Sequence, residues 1–280
     1  MSDPRTLLIA GHGYLGAEAG RQARARGWEV AALSKSGDGE SIACDLSDRG
    51  EVQALGGRVP PPGAILLSAS SGRGGAAAYR AVFIDGSRHL REVFPDAHLV
   101  FVSSTSVYGQ TGGETVDEDS PTEPDRETSR LLLEAEAQVL AGGGTVARLA
   151  GIYGPGRSVI LKKFLAGEAR IEDDGRRFLN QIHRDDAARA LLHLASHPGW
   201  SRGEIYNVAD CTPLHQGDCY RALADLFGRD LPPSGPRDTG RKRAWTHKQV
   251  SNAKLRATGW DPEFPSFLDA ARAVAETLGT

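Results

Sequence analysis

Residues 6–16 read Thr-Leu-Leu-Ile-Ala-Gly-His-Gly-Tyr-Leu-Gly, and this stretch decides the fold. A short apolar run predicts a buried strand over Thr6–Ala10, and a helix is predicted to follow over Tyr14–Arg26. Between them, Gly11, Gly13 and Gly16 have the spacing G-x-G-x-x-G. The first glycine permits a tight turn, the second lets a pyrophosphate approach the backbone, and the third lets the helix pack close to the strand. The unit predicts a dinucleotide-phosphate site at a helix N-terminus, and a glycine-rich turn without a ligand is the alternative.

Further short apolar runs alternate with helical stretches through the first 150 residues. Helices are predicted over Ala76–Phe94 and Glu127–Ala141. Additional strands are predicted over Glu29–Leu33, Ser41–Cys44, Ala64–Ala69, His98–Val102 and Thr145–Leu149. The alternation predicts an α/β fold, a doubly wound parallel sheet with six strands before residue 150 and helices on both faces. The long polar stretch from Thr111 to Arg126 is typical of a functional or disordered loop.

The pattern loosens after residue 156. Residues 157–180 contain a helix and a charged, hairpin-like piece, EDDGRR, and further helices are predicted over Asp185–Ala195, 216–227 and 265–278. We therefore expect a sheet domain over residues 1–156, completed by about 181–210. A small cap over 157–180 and 211–280 would bind the substrate.

Composition and charge narrow the class of protein. The 280 residues include 33 basic and 36 acidic side chains, a net charge of −3, which argues against a nucleic-acid or membrane-surface partner. No apolar run reaches the length of a membrane span, and the first residues lack a secretory pattern, so a cytoplasmic protein is expected. Cys44, Cys211 and Cys219 have no CxxC spacing. This predicts reduced, packed cysteines rather than disulfides or a metal site.

The end of the second predicted strand bears on the choice of dinucleotide. An NAD site would place a carboxylate there for the ribose 2′-hydroxyl. The sequence instead has Ser34, Lys35 and Ser36, with no acid before Asp38. A cation and two hydroxyls favour the 2′-phosphate of NADP, with NAD the second choice, although Lys35 could equally be an exposed loop lysine. Asp45 is placed either to meet the adenine edge or to cap the next turn.

Several motifs occur in the order found in a known family. They are GHGYLG at 11–16, VFVSSTSVYG at 100–109, ARLAGIYGPGR at 147–157, NQIHRDDAARAL at 180–191, EIYNVAD at 204–210 and SNAKLRATGWDP at 251–262. The chain thereby resembles the extended short-chain dehydrogenase/reductases, in particular the NAD-dependent epimerase/dehydratase branch. The resemblance implies a Rossmann-type fold with a small C-terminal substrate-binding cap, NADP or NAD as cofactor and a small-molecule substrate. Members of the family often form homodimers.

Motifs and resemblance together give the expected cofactor contacts. They are Gly11, His12, Gly13, Tyr14, Leu15, Gly16, Ser34, Lys35, Ser36, Asp45, Leu46, Ser68, Ala69, Ser103 and Tyr153.

The catalytic residues depart from the family pattern. Family members use a Ser or Thr together with Tyr-x-x-x-Lys, since transfer of a hydride to a carbonyl needs a proton partner near the oxygen. Ser104 matches the Ser/Thr, or else bonds the local backbone. Aligned on Glu136, Thr128 falls at the Tyr position and Leu132 at the Lys position, and no tyrosine lies between residues 109 and 152. The chain therefore resembles an atypical subgroup that lacks the usual pair.

Three functions are compatible with that loss. The first is an oxidoreductase acting on a small carbonyl, alcohol or imine, with Tyr108 beside Ser104 as a relocated proton donor. The second is a nucleotide-sugar epimerase or dehydratase, whose reactions also depend on Tyr and Lys. The third is a catalytically silent NADP-binding sensor or scaffold.

The resemblance also suggests substrate contacts, each with a structural alternative. Arg148, Tyr153 and His183 are the expected substrate-binding residues. Arg148 could instead form a core ion pair, Tyr108 and Tyr153 could be packing residues, and His183 a structural histidine. Asp186 is predicted to cap the helix that it opens. The basic residues Arg237, Arg241, Lys242 and Arg243 form either a contact for an anionic substrate or a solvated face.

Overall fold

The computed structural model describes residues 5–72, 74–172, 174–237 and 245–279. The strands are β1 (Thr6–Ala10), β2 (Glu29–Ser34), β3 (Ile42–Ala43), β4 (Ala64–Leu67), β5 (His98–Ser104), β6 (Glu114–Val116), β7 (Thr145–Leu149), β8 (Gly151–Tyr153), β9 (Ile171–Glu172), β10 (Phe178–Leu179), β11 (Gln181–His183), β12 (Ile205–Val208), β13 (Leu214–His215), β14 (Ser234–Gly235) and β15 (Lys248–Val250).

The helices follow the same chain order. They are α1 (Tyr14–Ala25), α2 (Arg49–Gln53), α3 (Gly75–Tyr79), α4 (Gly86–Val93), α5 (Glu127–Ala141), α6 (Val159–Leu165), α7 (Arg184–Ser196), α8 (Pro198–Ser201), α9 (Gln216–Phe227), α10 (Ala253–Arg256) and α11 (Ala271–Thr277). Short 3₁₀ turns cover Ala54–Gly57, Thr105–Val107 and Phe267–Ala270.

Seven strands form one central sheet in the order β12-β7-β5-β4-β1-β2-β3. Each neighbouring pair from β3 through β5 is parallel. The chain order reverses between β1 and β4, so right-handed crossovers place the helices of the two halves on opposite faces. The predicted α/β, doubly wound Rossmann-type sheet is confirmed. Its first six strands are the six predicted before residue 150, and β12 adds a seventh.

Burial explains why these runs form the centre of the sheet. Leu7, Leu8, Ile9 and Ala10 of β1 are all at most 2% exposed, and every residue of β4 is buried. Strands covered on both faces need continuous apolar sequences rather than alternating ones. Short runs such as TLLIA and AILL meet that requirement.

The described residues divide into two compact units. The first unit contains the residues up to Val107 together with Pro124–Arg148 and Ala188–Tyr206. The second unit contains Tyr108–Glu123, Leu149–Ala187 and Asn207 onwards. Residues 108–123, 149–156, 181–187 and 207–210, which the sequence groups with the sheet domain, fall in the second unit.

The second unit has an apolar core of its own and four short two-stranded pairings. Tyr153, Phe164, Tyr220, Leu223 and Phe267 are among its buried members. The pairings are β8 with β11, β6 with β15, β9 with β14, and β10 with β13.

Two sequence predictions fail in detail. EDDGRR is not a hairpin, because β9 pairs with Ser234–Gly235 and β10 pairs with Leu214–His215, far away in the sequence. The helix predicted over Ala76–Phe94 is interrupted by a π-helical stretch at Arg80–Asp85. A 3.6-residue pattern does not reveal such a local change of winding.

Three further sequence expectations concern the polar stretch 111–126, the cysteines and membrane-spanning helices. The polar stretch 111–126 contains β6, which pairs in parallel with β15. Cys44 and Cys219 are buried as expected, whereas Cys211 is exposed. None of the helices in the described ranges has the length and apolar character needed to cross a membrane.

Candidate functional site

The turn after β1 has a geometry that only glycine can adopt. Gly11 has a φ of +115°, and a Cβ added there would lie 2.3 Å from the backbone nitrogen of Ala69. At Gly16 a Cβ would lie 2.1 Å from the carbonyl oxygen of Gly11. Two of the three glycines are therefore required by close backbone approaches within the first unit.

Gly13 differs from the other two glycines because nothing surrounds it. A Cβ added at Gly13 would have no atom within 4 Å, and the residue caps α1 without a side-chain hydrogen bond. The first N–H groups of a helix have no intrahelical acceptor, and the helix dipole favours an anion beside them. The turn thus combines helix N–H groups that have no intrahelical acceptor with open space, which is what a pyrophosphate needs.

Neighbouring strands hold the turn in place. The N–H groups of Gly11 and His12 donate to the carbonyl of Leu33 at 3.1 and 2.7 Å, and the Ser68 hydroxyl donates to the carbonyl of Gly11 at 3.0 Å. Ser68 and Ala69 at the end of β4, and the end of β2, are therefore brought to the glycine turn. Tyr14 is half-buried at the start of α1, while Leu15 packs into the core.

The end of β2 carries internal contacts that the sequence did not reveal. The hydroxyls of Ser34 and Ser41 lie 2.7 Å apart, and the Lys35 Nζ lies 2.7 Å from a carboxylate oxygen of Asp45. The Lys35 ammonium holds the pKa of the Asp45 carboxyl below its usual range. The Lys35 side chain is 83% exposed. The Lys35 ammonium is therefore accessible from solvent, while the Asp45 side chain is 23% exposed.

Two more residues of this region have clear environments. Ser36 is exposed beside Lys35. Leu46 is buried, and its carbonyl oxygen lies 3.1 Å from Nδ1 of His89. The Leu46 side chain therefore packs in the core.

Ser103 and Ser104 point to opposite sides of β5, as neighbours in a strand must. The Ser103 hydroxyl donates to Glu136 at 2.5 Å, and Glu136 also forms an ion pair with Arg148 at 2.7 Å, with all three side chains buried. Ser103 and Arg148 therefore have structural partners in the first unit. For Arg148 the structure shows the core ion pair rather than a free cation for a substrate.

Ser104 has the more open environment. It is half-buried at the carboxyl end of β5, and its hydroxyl oxygen accepts the N–H of Ser106 at 3.2 Å. The Ser129 hydroxyl, at the start of α5, donates to the Ser106 hydroxyl at 3.3 Å. Sequence reasoning missed Ser106 and Ser129, although the run STS at 104–106 was a signal for a hydroxyl cluster.

Thr128 and Leu132, which the sequence places at the Tyr and Lys positions of the family pattern, lie on α5. Thr128 is half-buried, and Leu132 is 6% exposed within the core. A leucine packed there leaves no cation at that position of α5.

Tyr108 begins the second unit and is fully buried. Its hydroxyl donates to Oδ1 of Asn207 at 2.9 Å, and its carbonyl accepts from Nζ of Lys248 at 2.8 Å. The hydroxyl is thus engaged in the interior, as the packing alternative for Tyr108 predicts.

Tyr153, His183 and Asp186 lie together in the second unit. The rings of Tyr153 and His183 meet edge to face at 5.2 Å, and burial raises the pKa of the Tyr153 phenol. The Asp186 carboxylate accepts the N–H groups of Glu263 and Phe264 at 2.9 Å each. α7 begins at Arg184, so Asp186 lies within its first turn and not at the cap position that the sequence predicted. Its carboxylate instead fixes a distant segment.

Asp210, just after β12, is a further buried acid that the sequence did not single out. It is 3% exposed, and one carboxyl oxygen, Oδ1, accepts the N–H of Thr212 at 3.3 Å. Desolvation raises the pKa of Asp210 to about 8.

Of the basic run, Arg237 lies over the ring of Trp245 at 3.6 Å, whereas Arg241, Lys242 and Arg243 lie outside the described residues. Within the described ranges, no three His, Cys, Asp or Glu side chains are placed to hold a metal ion together.

Comparison with known proteins assigns the family. A model of the NAD-dependent epimerase/dehydratase family matches residues 7–209, most of the chain. The chain belongs to the NAD-dependent epimerase/dehydratase family. No curated protein matches it by sequence.

Solved structures of epimerase/dehydratase relatives align over nearly the whole chain. A Methylobacillus flagellatus protein, provisionally assigned as an NAD-dependent epimerase/dehydratase, is 28% identical, with 97% of each chain covered and a TM-score of 0.78. The human epimerase family protein SDR39U1, solved with NADPH, is 22% identical, covers 98% of this chain and 99% of its own, and has a TM-score of 0.78. Thermus thermophilus UDP-glucose 4-epimerase, solved with NAD, is 21% identical, covers 97% and 98%, and has the same TM-score of 0.78.

Proposed function

We propose that this family member is an NAD(P)-dependent oxidoreductase acting on a small carbonyl, alcohol or imine. The glycine turn is the observation that carries the proposal. Gly11 and Gly16 are fixed by close backbone contacts, while Gly13 opens onto free space at the uncapped N-terminus of α1. A turn that served the fold alone would have no need of an open, uncapped helix end beside two tightly packed glycines.

The first unit provides the residues to hold the dinucleotide. The backbone from Gly11 to Gly16 would bind the pyrophosphate, Ser68 and Ala69 adjoin that turn, and the β2 end would hold the adenosine ribose. A bound nicotinamide supplies or accepts the hydride. The residues of the chain bind the cofactor and handle the proton of the substrate oxygen.

The residues at the end of β2 bear on the choice between NADP and NAD. Lys35 is an exposed cation beside Ser34 and Ser36, and the human relative was solved with NADPH. Asp45 neutralises Lys35 in this structure, so a 2′-phosphate would compete with Asp45 for the ammonium. Because a 2′-phosphate carries more negative charge than the single Asp45 carboxylate, we propose NADP as the preferred cofactor and NAD as the second.

Ser104 is the proposed proton partner. It is half-buried at the carboxyl end of β5, where ligands bind in open parallel sheets. Its oxygen accepts one backbone N–H, and no described residue accepts its hydroxyl proton. Ser106 and Ser129 add two further hydroxyls near the end of β5, joined to each other by a hydrogen bond of 3.3 Å, but the Ser104 hydroxyl contacts Ser106 only through the backbone N–H. With Tyr108 bound to Asn207, we assign Tyr108 a positioning role.

The family match also supports a second candidate function, that of a nucleotide-sugar epimerase or dehydratase. The matched model describes epimerases and dehydratases, and one aligned relative acts on UDP-glucose. Those reactions begin with an oxidation that relies on Tyr and Lys, whereas here Leu132 is packed in the core. The oxidoreductase is therefore favoured, and an isomerised or dehydrated product without net cofactor turnover would identify the alternative.

The test combines a substrate panel with two adjacent serine variants. Wild-type protein is assayed for NADPH oxidation with aldehydes, ketones and imines, and for NADP⁺ reduction with alcohols. Ser104→Ala should lower kcat by about 10²–10⁴-fold, the usual contribution of a proton-transfer group. Ser103→Ala, whose hydroxyl faces Glu136, should reduce stability and leave kcat nearly unchanged.

Equal turnover in wild type and Ser104→Ala would remove Ser104 from the mechanism. Tight cofactor binding without turnover on any substrate would instead identify a silent binding protein.

A further inference from the structure

Lys248 is a buried cation without a carboxylate partner. The residue is 4% exposed, and its Nζ donates to two neutral acceptors, the Tyr108 carbonyl at 2.8 Å and the Thr246 hydroxyl at 3.1 Å. An ammonium has three N–H donors, so one has no acceptor among the described residues. Lysine is seldom buried to this extent unless an anion accompanies it.

Arg177 brings a second cation to the same place. Its Nε donates to the carbonyl of Thr246 at 3.2 Å, so both cations bind Thr246. Arg177 is the charged group whose repulsion, after burial, lowers the pKa of Lys248 to about 8. Two neighbouring cations that repel each other in a poorly solvated place raise the free energy of the folded chain.

One carboxylate stands near this pair and does not balance it. Glu172 lies 3.7 Å from Arg177, an ion pair longer than a hydrogen bond. Among the described residues, the two cations Arg177 and Lys248 thus face one carboxylate, which leaves an excess of one positive charge. The Arg177 side chain is 21% exposed, so the pair can be reached from solvent.

Arg148 shows that another buried cation of this chain does have a carboxylate partner. Arg148 is equally buried, yet it forms several hydrogen bonds of 2.7–3.2 Å to both oxygens of Glu136. The sequence therefore compensates a buried arginine where only structure is required. At Arg177 and Lys248 the described residues provide only the long ion pair from Glu172 to Arg177, and Lys248 has neutral acceptors alone.

From these contacts we infer that Arg177 and Lys248 form a binding site for the carboxylate of a small ligand. A carboxylate has one negative charge, which matches the excess, and two oxygens, one for the free N–H of Lys248 and one for the Arg177 fork. All the residues belong to the second unit. The inference goes beyond the proposed function and does not depend on cofactor turnover.

The experiment follows the Lys248 side chain by NMR in protein labelled with ¹³C and ¹⁵N lysine. The resonance is assigned by its loss in Lys248→Met. The pH titration of Lys248 is recorded in acetate, in inorganic phosphate and in sodium chloride at equal ionic strength. A bound carboxylate should raise the pKa of Lys248 by about one unit or more, because a nearby opposite charge favours the ammonium.

Matched variants separate binding from general charge effects. Arg177→Gln should abolish the acetate response, while Arg176→Gln, next to it but 79% exposed and paired with Asp174, should retain it. An acetate titration that matches sodium chloride overturns the proposal. A response to phosphate alone overturns the choice of a carboxylate. Because the main readout uses wild-type protein, a variant that fails to fold leaves the test intact.

Discussion

At the scale of single residues, burial separates two ion pairs that α5 makes. Glu136 pairs with Arg148 with both side chains at most 5% exposed, whereas Glu134 pairs with Arg80 with both about half exposed. Charges removed from water need a partner, while exposed pairs are screened and weak. The same helix thus provides a test and its control.

Arg148→Met should destabilise the protein strongly because it leaves the buried Glu136 carboxylate with Ser103 as its one remaining side-chain hydrogen-bond donor among the described residues. The loss in unfolding free energy should be about 3–5 kcal/mol, measured by urea denaturation. Arg80→Met should be nearly neutral in the same assay. Equal effects of the two substitutions would contradict the role assigned to burial.

Lys35 carries the prediction on cofactor choice. Lys35→Ala should weaken NADPH binding much more than NADH binding, since only NADPH has the 2′-phosphate that the ammonium would contact. Fluorescence titration with both nucleotides measures the two affinities. A variant that loses affinity for both equally would show that Lys35 does not read the 2′ position.

At the scale of elements, the bounds of a strand or helix can be predicted from local sequence, whereas the partner of a short strand cannot. The bounds of β1, β7 and α5 follow from the sequence, because burial on both faces and a terminal glycine run are local features. The partners of β9 and β10 lie more than 30 residues away, so EDDGRR was wrongly predicted as a hairpin. The Ser103–Glu136–Arg148 cluster was missed for the same reason.

The first turn of α7 anchors the segment before the last helices. Asp186→Asn would leave one acceptor for the two N–H groups of Glu263 and Phe264, and its amide would oppose a donor. A loss of about 2–3 kcal/mol in unfolding free energy is expected. Asp185→Asn, which affects a pair with Arg184 whose side chains are 20% and 32% exposed, is the control. Unchanged stability in Asp186→Asn would contradict the anchoring role.

At the scale of the whole molecule, one buried acid should shape the pH dependence of stability. Burial raises the pKa of Asp210 from 3.8 to about 8, so the folded state binds an extra proton between these values. The contribution is fully present below about pH 4 and is lost as pH rises toward 8. Its slope is at most about 1.4 kcal/mol per pH unit.

Asp210→Asn should therefore flatten the pH profile between about pH 4 and 8 and raise stability at pH 8 relative to wild type. The amide oxygen can still accept the N–H of Thr212. Denaturation midpoints across this pH range check the result. A variant profile parallel to that of wild type would show that Asp210 titrates normally.

The shape of the glycine turn in the candidate site could be predicted from the sequence because glycine spacing directly encodes backbone shape. The remainder could not. Lys35 and Asp45, Tyr108 and Asn207, and Arg177 and Lys248 are brought together only by the tertiary fold. No spacing rule links them.

The dinucleotide turn is the central claim, and Gly13→Ala tests it most directly. The added Cβ projects into open space, so the melting temperature should be unchanged, while NADPH affinity measured by calorimetry should fall at least about tenfold. Gly11→Ala, which would meet Ala69, should destabilise the fold itself. Wild-type protein that binds no nicotinamide dinucleotide, or a Gly13→Ala variant that binds as tightly as wild type, would contradict the account.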